Sequence, residues 1–146
     1  MIGKVAKAFL LKPTGPSRPI RKHVDVGPTK EYGEYLATTV ANCNGCHTKR
    51  SLRTGEAIGV AFAGGMTVES HLSPGTKFVT PNLTPDPKTG HITAWSEEVF
   101  VARFKAGVST ASPMPWGTFK NMTEDDLRAL YRYLRSLPPA TTGQEL

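Results

Sequence analysis

The sequence Cys43-Asn44-Gly45-Cys46-His47 sets two cysteines three residues apart, with a histidine directly after the second. These are the only two cysteines among 146 residues, so a framework of several disulfides is excluded. The chain contains 14 glycines and 12 prolines, and only 38% of its residues are hydrophobic. A chain so rich in turn formers and so poor in core residues often needs a metal or a cofactor to stabilise its fold. We expect that group to bind at this motif.

The spacing of the motif is the one used for covalent attachment of haem c. Two thiols three residues apart at a helix end can reach the two vinyl groups on one edge of the porphyrin, and His47 then lies under the iron as its proximal ligand. Three other interpretations compete. A redox-active dithiol would lie at a helix start in a βαβ unit, a zinc site lacks a second paired spacing, and a plain disulfide leaves His47 without a role. The motif therefore predicts one covalently bound haem c, held by Cys43 and Cys46.

A low-spin electron-transfer haem needs a sixth ligand, and methionine is the usual one because a thioether favours ferrous iron. The candidates are Met1, Met66, Met114 and Met122. Met114 lies between Pro113 and Pro115, and the two prolines favour an extended and stiff loop. We predict that Met114 is the iron ligand opposite His47. The alternative for any one of these methionines is packing in the core.

The segment before the motif has the apolar spacing of an amphipathic helix. Thr29 is the predicted N-cap, and Tyr32, Leu36 and Val40 form the predicted apolar face. Gly33 costs helix stability relative to alanine. A close helix crossing, where a side chain would not fit, is one reason to accept that cost.

Two further helices are predicted in the second half of the chain. One runs from Ser96, as N-cap, to about Ala106, and Gly107 ends it. Its predicted apolar face consists of Val99, Phe100 and Phe104. The last helix begins with a capping box of Thr123 and Asp126. Its apolar positions are Leu127, Leu130, Tyr131 and Leu134, and Pro138 and Pro139 stop it.

Residues 48–92 are irregular and contain six glycines and four prolines. Weak strand patterns at 58–62 and 77–80 predict a pair of strands. So long an irregular stretch is unusual in a compact domain unless it has a task, and wrapping a large ligand would be such a task.

The net charge of +6 is concentrated at the start of the chain. Seven of the 18 basic residues but only one of the 12 acidic residues, Asp25, lie in residues 1–30, so the rest is formally neutral. Such an arm is either a solvated linker or a segment near an anionic membrane surface or an acidic partner. The basic residues are not interleaved with aromatic ones, so nucleic-acid binding is not expected. We divide the chain into a basic arm (1–28), a haem domain (29–140) and a C-terminal tail (141–146).

From about Thr29 to Pro139 the chain resembles the class I c-type cytochromes, in particular the monohaem domains of membrane-anchored or dehydrogenase-associated bacterial cytochromes. The resemblance rests on three parts of the sequence. They are the helix with Gly33 that leads into Cys43-Asn44-Gly45-Cys46-His47; Thr80-Pro81-Asn82-Leu83-Thr84-Pro85-Asp86 with Gly90 and Trp95-Ser96; and Pro113-Met114-Pro115-Trp116 with the helix that follows it. It implies a mainly α cytochrome c fold of three to five helices, with long loops wrapped around one covalently bound haem.

The same resemblance implies one-electron transfer in a respiratory or dehydrogenase chain, with redox proteins as partners. Iron cycling needs no catalytic acid, base or nucleophile, so we expect an electron carrier without catalytic residues. Haem c is attached outside the cytoplasm, which predicts an exported domain in the periplasm or on the outer face of the cytoplasmic membrane. The basic arm or an upstream anchor would provide membrane association. The alternatives are a haem protein with an open or labile sixth site, acting as an enzyme or gas sensor, and a zinc or dithiol module without haem.

The resemblance also places the stretch from Asn82 to Trp95 beside the haem propionates. We expect the side chains of Asn82 and Thr84 and the Trp95 indole to donate hydrogen bonds to them. The alternative for Trp95 is an apolar anchor before the helix at Ser96. Three basic residues after the motif either belong to a docking rim or are solvated surface charges: Lys49, Arg50 and Arg53.

Overall fold

The computed structural model describes residues 23–70, 73–107 and 112–146. Most of the predicted basic arm, and Met1 with it, therefore lies outside the described residues. The helices are α1 (Lys30–Tyr35), continued by a π-helical segment (Leu36–Val40), α2 (Cys43–Cys46), α3 (Glu97–Ala106), α4 (Trp116–Phe119) and α5 (Glu124–Arg135). The strands are β1 (Thr67–Glu69) and β2 (Lys77–Val79). The expectation of a mainly helical chain with three to five helices is confirmed by the five α-helices in these ranges.

Helix α1 crosses α5 at Gly33. Thr29 caps α1 as predicted, since its Oγ1 accepts a hydrogen bond from Tyr32 N at 3.2 Å. A Cβ atom on Gly33 would lie 2.0 Å from the carbonyl oxygen of Ala129 in α5. The prediction of a close crossing at this glycine is confirmed. The Tyr32 hydroxyl then fastens the crossing by donating to Asp126 Oδ1 at 3.0 Å.

The π-helical segment changes which residues face the core. Ala41 N donates to Leu36 O at 2.8 Å, five residues back, and this wider turn rotates the side chains that follow. Leu36 is buried, whereas Val40 is 58% exposed. The predicted apolar face is therefore wrong at Val40, because the prediction assumed a regular α-helical repeat.

Both longer helices begin at the predicted caps. The Ser96 Oγ accepts a hydrogen bond from Val99 N at 3.3 Å, and α3 ends at Gly107, whose φ is 57°. In α5, Thr123 Oγ1 accepts from Asp126 N at 3.1 Å and the Asp126 carboxylate accepts from Thr123 N at 2.9 Å. The predicted capping box is confirmed.

Helix α5 packs against both α1 and α3, and the core lies between them. Its large members are Leu36, Phe62, Ile92, Phe100, Phe104, Leu127, Leu130 and Leu134. In α3 the buried valine is Val101, whereas the predicted Val99 is half exposed, so the predicted face is corrected at that position. None of the helices in the described ranges has the length and apolar character to cross a membrane.

Ion pairs join the start of α3 to the outer face of α5. Glu97 accepts hydrogen bonds from Arg128 Nη1 at 3.0 Å and from Arg132 Nε at 2.8 Å. These bonds, that of Arg132 above all, hold the pKa of the Glu97 carboxyl below its usual value. Arg132 also donates to the Pro28 carbonyl and so ties the segment before α1 to the same face.

The sheet differs in part from the predicted one. The strand predicted at 77–80 forms as β2, but its antiparallel partner is β1, with Thr67 opposite Val79 and Glu69 opposite Lys77. The other predicted strand, at 58–62, contacts the end of the chain instead: Val60 N donates to Gln144 O at 2.8 Å. The prediction of that partner is wrong because the alternation of apolar residues carries no information about which distant segment supplies the hydrogen bonds.

Candidate haem site

Helix α2 presents both cysteines of the motif as free thiols. It is a single turn entered from Asn42, which has a left-handed backbone with φ of 49°. Cys46 is exposed, whereas Cys43 is partly buried and packs against the hydrophobic core. One thiol thus lies at the surface and its neighbour lies against the interior, one helical turn apart.

The Cys43 thiol lacks the low pKa that is typical of a cysteine in a redox-active dithiol. Burial raises its pKa to about 11. Reactive cysteines require the opposite shift, because the thiolate is the nucleophile. Within the described ranges, no group of three or more histidine, cysteine or acidic side chains is placed to hold a metal ion. The raised pKa of the Cys43 thiol thus argues against the dithiol interpretation.

His47 is buried and held in one tautomer. Its Nδ1–H donates to the carbonyl oxygen of Pro81 at 2.9 Å, which leaves the lone pair on Nε2. Burial lowers the pKa of the imidazole and so favours the neutral form. A neutral imidazole whose other nitrogen is held by a backbone carbonyl is the usual form of a metal-binding histidine.

Gly64 allows the loop that contains Pro81 to approach His47. Its N–H donates to His47 O at 2.8 Å. A Cβ on Gly64, whose φ is 65°, would lie 2.5 Å from the carbonyl oxygens of Thr80 and Pro81. The absence of a side chain therefore lets residues 80–81 pass close to the histidine.

Met114 is partly buried and packs against the same core as Cys43. Its N–H donates to Ser112 Oγ at 3.3 Å, and its carbonyl accepts from Trp116 N at 2.8 Å. Met66 is tied at both N–H and carbonyl to Thr80, next to β1. Met122 directly precedes the cap of α5. The assignment of Met114 as iron ligand stays a prediction.

Asn82 and Thr84 are buried and bonded to protein groups. The Asn82 amide donates to Ala140 O at 2.6 Å and to Thr89 Oγ1 at 2.9 Å, and its Oδ1 accepts from Thr84 N at 2.9 Å. The Thr84 hydroxyl lies 2.8 Å from Asn82 Oδ1 and accepts from Ala140 N at 3.1 Å. These bonds fasten the loop to the segment after α5, and propionate contacts of the two residues stay a prediction.

Trp95 is placed differently from those two residues. Its ring lies 5.3 Å from the ring of His91 and 6.5 Å from that of Phe100, between surface and core. Its backbone carbonyl accepts from the Tyr131 hydroxyl at 2.7 Å. Among the described residues, no hydrogen bond uses its indole N–H. Of the three predicted propionate donors, Trp95 is therefore the one whose donor group is free of protein partners in this part of the chain.

Comparison with known proteins finds relatives that are subunits of dehydrogenases. No family profile matches it. It is 34% identical over 120 residues to the cytochrome c subunit of the alcohol dehydrogenase (quinone) of Gluconacetobacter polyoxogenes, covering 77% of this chain and 25% of that protein. It is 34% identical over 106 residues to the gluconate 2-dehydrogenase cytochrome c subunit of Pantoea cypripedii, covering 69% and 21%. The chain belongs to the c-type cytochrome family.

A third relative has a name that does not mention a cytochrome. It is a nicotinate dehydrogenase subunit of Pseudomonas putida, 34% identical over 114 residues, which are 75% of this chain and 9% of that protein. This cytochrome thus spans a quarter or less of the length of all three relatives. The likeness concerns a domain that recurs within longer dehydrogenase subunits.

The residues of this cytochrome fit a covalently attached haem. Two unpaired thiols stand one turn apart, and the next residue is a neutral histidine with an available Nε2. Cys43, Leu83, Trp95 and Met114 all pack, partly buried, against one core cluster. Asn44 Oδ1, inside the motif, is buried without a hydrogen-bond partner, an arrangement rare in proteins. Thiols, imidazole and thioether are the donor set of haem c.

The three basic residues after the motif, Lys49, Arg50 and Arg53, differ in their contacts. Lys49 forms an ion pair with Glu145 at 2.7 Å. Arg50 donates to Gly45 O at 3.2 Å and to Gly55 O at 3.0 Å, and so links the motif to the loop that follows it. Arg53 is exposed. A docking role for these residues stays a prediction, with Lys49 and Arg50 already bonded within the domain.

Two contributors to the site were missed from the sequence. The Pro81 carbonyl holds His47, and Ala140 holds Asn82 and Thr84 through its backbone. Both act through main-chain atoms, so no side-chain pattern could have indicated them. Pro81 lies within the stretch that carries the cytochrome resemblance, and that stretch was the one available pointer.

Proposed function

We propose that this domain carries single electrons through one haem c, as a module of a dehydrogenase electron-transfer chain. The observation that supports the proposal most directly is His47. It follows two free thiols, is buried, and has its Nδ1 engaged by Pro81, so that Nε2 is available to iron. The cytochrome c subunits of dehydrogenases named above agree with this function.

Each residue of the site has a task in this proposal. The Cys43 and Cys46 sulfurs form the two thioether links that hold the group in place. His47, through Nε2, and Met114, through its thioether, would be the two protein ligands of the iron. The bound group supplies the Fe(II)/Fe(III) couple, and the chain sets its potential through ligands, burial and hydrogen bonds.

The setting of the domain follows from the same chemistry. Haem c is attached outside the cytoplasm, so the proposed location is the periplasm or the outer face of the cytoplasmic membrane. Its partners would be redox proteins, a donor and an acceptor within or beside the complex. We propose that the basic arm or an anchor brings the domain to the membrane surface.

An absorption spectrum of the exported protein tests the function. The chain is expressed in a bacterium that attaches haem c, and haem is followed on the denatured polypeptide and in the folded protein. The expected result is haem that stays with the denatured chain and a reduced low-spin spectrum. A high-spin reduced spectrum would favour the open-site alternative, and the absence of a haem band would refute the proposal. The Cys43→Ala/Cys46→Ala double variant is the control and should lose covalent haem.

A further inference from the structure

The segment that carries Met114, residues 114–122, is a small folded unit and is called the Met114 segment below. Residues 115–119 form the turn of α4, with Phe119 N donating to Pro115 O at 3.1 Å and Lys120 N to Trp116 O at 3.0 Å. Trp116 N donates to Met114 O at 2.8 Å. The position of the Met114 backbone is therefore coupled to the position of α4.

The last turn of α3 holds the first residue of α4. The guanidinium of Arg103 lies 5.3 Å from the centre of the Trp116 ring, within range of a cation–π interaction. Phe104 meets the same ring edge-on, with centroids 5.2 Å apart, and lies 6.2 Å from Phe119. Trp116 is thus enclosed between a cation and an aromatic side chain of one helical turn.

The same turn of α3 also holds the end of the Met114 segment. Lys105 Nζ donates to the carbonyls of Lys120 and Met122. A Cβ on Gly107 would lie 2.7 Å from the Lys120 side chain, so this glycine lets the segment pack closely. In the described part of the chain, the hydrogen bonds that tie residues 114–122 to another helix all come from Lys105.

We propose that Arg103 and Lys105 are positioning residues that together clamp the Met114 segment onto α3 and so hold the thioether against the haem iron. This inference rests on the proposed function, since it requires Met114 as the sixth ligand. Arg103 fixes the residue that follows the Met114-Pro115 step, and Lys105 fixes the exit of the segment before α5. Release of either contact frees the backbone that carries the sulfur, and the thioether then competes less well with another ligand.

Imidazole binding to the ferric holoprotein measures how firmly the thioether is held. Imidazole replaces methionine on the iron, so a looser segment gives tighter imidazole binding. For Arg103→Ala we expect imidazole affinity to rise about two- to fivefold, the range of a single exposed cation–π contact. For Lys105→Ala we expect a rise of similar size, because a hydrogen bond contributes a comparable net free energy. The sulfur-to-iron charge-transfer band should weaken in parallel. Arg103→Lys, which keeps a cation over Trp116, should remain close to the wild-type protein.

Two control variants separate positioning from other effects. Arg132→Ala removes one of the two arginines that pair with Glu97 at the opposite end of α3, so it should lower stability but leave imidazole affinity unchanged. Lys77→Ala removes one positive charge from the exposed side of β2 and should change neither stability nor imidazole affinity. The clamp is refuted when Arg103→Ala and Lys105→Ala bind imidazole like the wild type, or when either control shows the same increase.

Met114→Ala distinguishes failure of the clamp from failure of the ligand assignment. When Met114→Ala loses the charge-transfer band and the two clamp variants behave like the wild type, the clamp alone is wrong. When Met114→Ala keeps the wild-type band and imidazole affinity, the ligand assignment is wrong and the clamp falls with it.

Discussion

A backbone carbonyl decides what the His47 side chain can do. The Pro81 oxygen accepts a hydrogen bond from Nδ1–H and so leaves the lone pair on Nε2, while burial favours the neutral ring. The motif indicated His47 directly, because its meaning lies in side-chain types and their spacing. It could not indicate Pro81, because a carbonyl group is common to every residue and only the folded chain selects one.

For this single residue, we predict that Met114→Ala changes the ligation of the haem iron. The variant should lose the sulfur-to-iron charge-transfer band of the ferric state, because no thioether remains opposite His47. Its reduction potential should fall, and small ligands should bind, as followed by electrochemistry and by carbon monoxide titration. Met66→Ala and Met122→Ala should retain the band. Loss of the band in Met66→Ala, with retention in Met114→Ala, would reverse the assignment.

Asn82→Ala tests the buried polar network. The substitution leaves the Thr84 N–H and part of the bonding at Ala140 O without partners in the interior. Unfolding of the ferric holoprotein in denaturant should show a loss of about 2–3 kcal/mol. Asn121→Ala, at an exposed amide, is the matched control and should stay within about 0.5 kcal/mol of the wild type. Unchanged stability in Asn82→Ala together with a shifted reduction potential would mean that propionate binding is its main task.

Elements with local signals were predictable, and elements that depend on distant partners were not. The caps at Thr29, Ser96 and Thr123 and the glycine at the crossing follow from residue preferences within one turn. The π-helical segment and the pairing of β1 with β2 depend on the surrounding fold. A period of 3.6 predicts a helix but not a five-residue step inside it, which is why Val40 was misplaced.

Gly33→Ala tests the crossing of α1 and α5. The new Cβ would meet a backbone carbonyl 2.0 Å away, which cannot turn aside as a side chain would. We expect a net loss of about 1–3 kcal/mol in the free energy of unfolding, although alanine favours the helix. Gly117→Ala in α4, where nothing lies within 4 Å, is the matched control and should gain up to about 1 kcal/mol. Equal stability of the two variants would contradict the crossing.

At the scale of the whole molecule, the end of the chain closes over the loops that hold the histidine. Gly143 N donates to Ala63 O at 3.0 Å, and Glu145 pairs with Lys49 two residues after the motif. The sequence suggested only a tail for residues 141–146, because short polar segments carry no periodic signal. The division into arm, haem domain and tail stays a prediction.

We predict that the arm is separable from the haem domain. Deletion of residues 1–24 removes most of the excess positive charge but keeps Pro28, whose carbonyl binds Arg132. The haem spectrum should be unchanged, because the site lies beyond the arm. Binding to vesicles of anionic lipid, measured by sedimentation, should weaken, and the difference from the full chain should vanish at high salt. Failure of the shortened chain to incorporate haem would show that the arm belongs to the fold.

The crossing of α1 with α5 also determines how late the chain can fold during its synthesis. Tyr32 and its partner Asp126 are 94 residues apart, so α1 cannot pack against α5 until nearly the whole domain has been made. At a synthesis rate of about 5–20 residues per second, this delay lasts roughly 5–20 s. For most of this delay, Cys43 and Cys46 are already present on a chain in which α1 and α5 have not yet packed. The topology thus delays the packing of α1 against α5 until well after both cysteines of the motif have been synthesised.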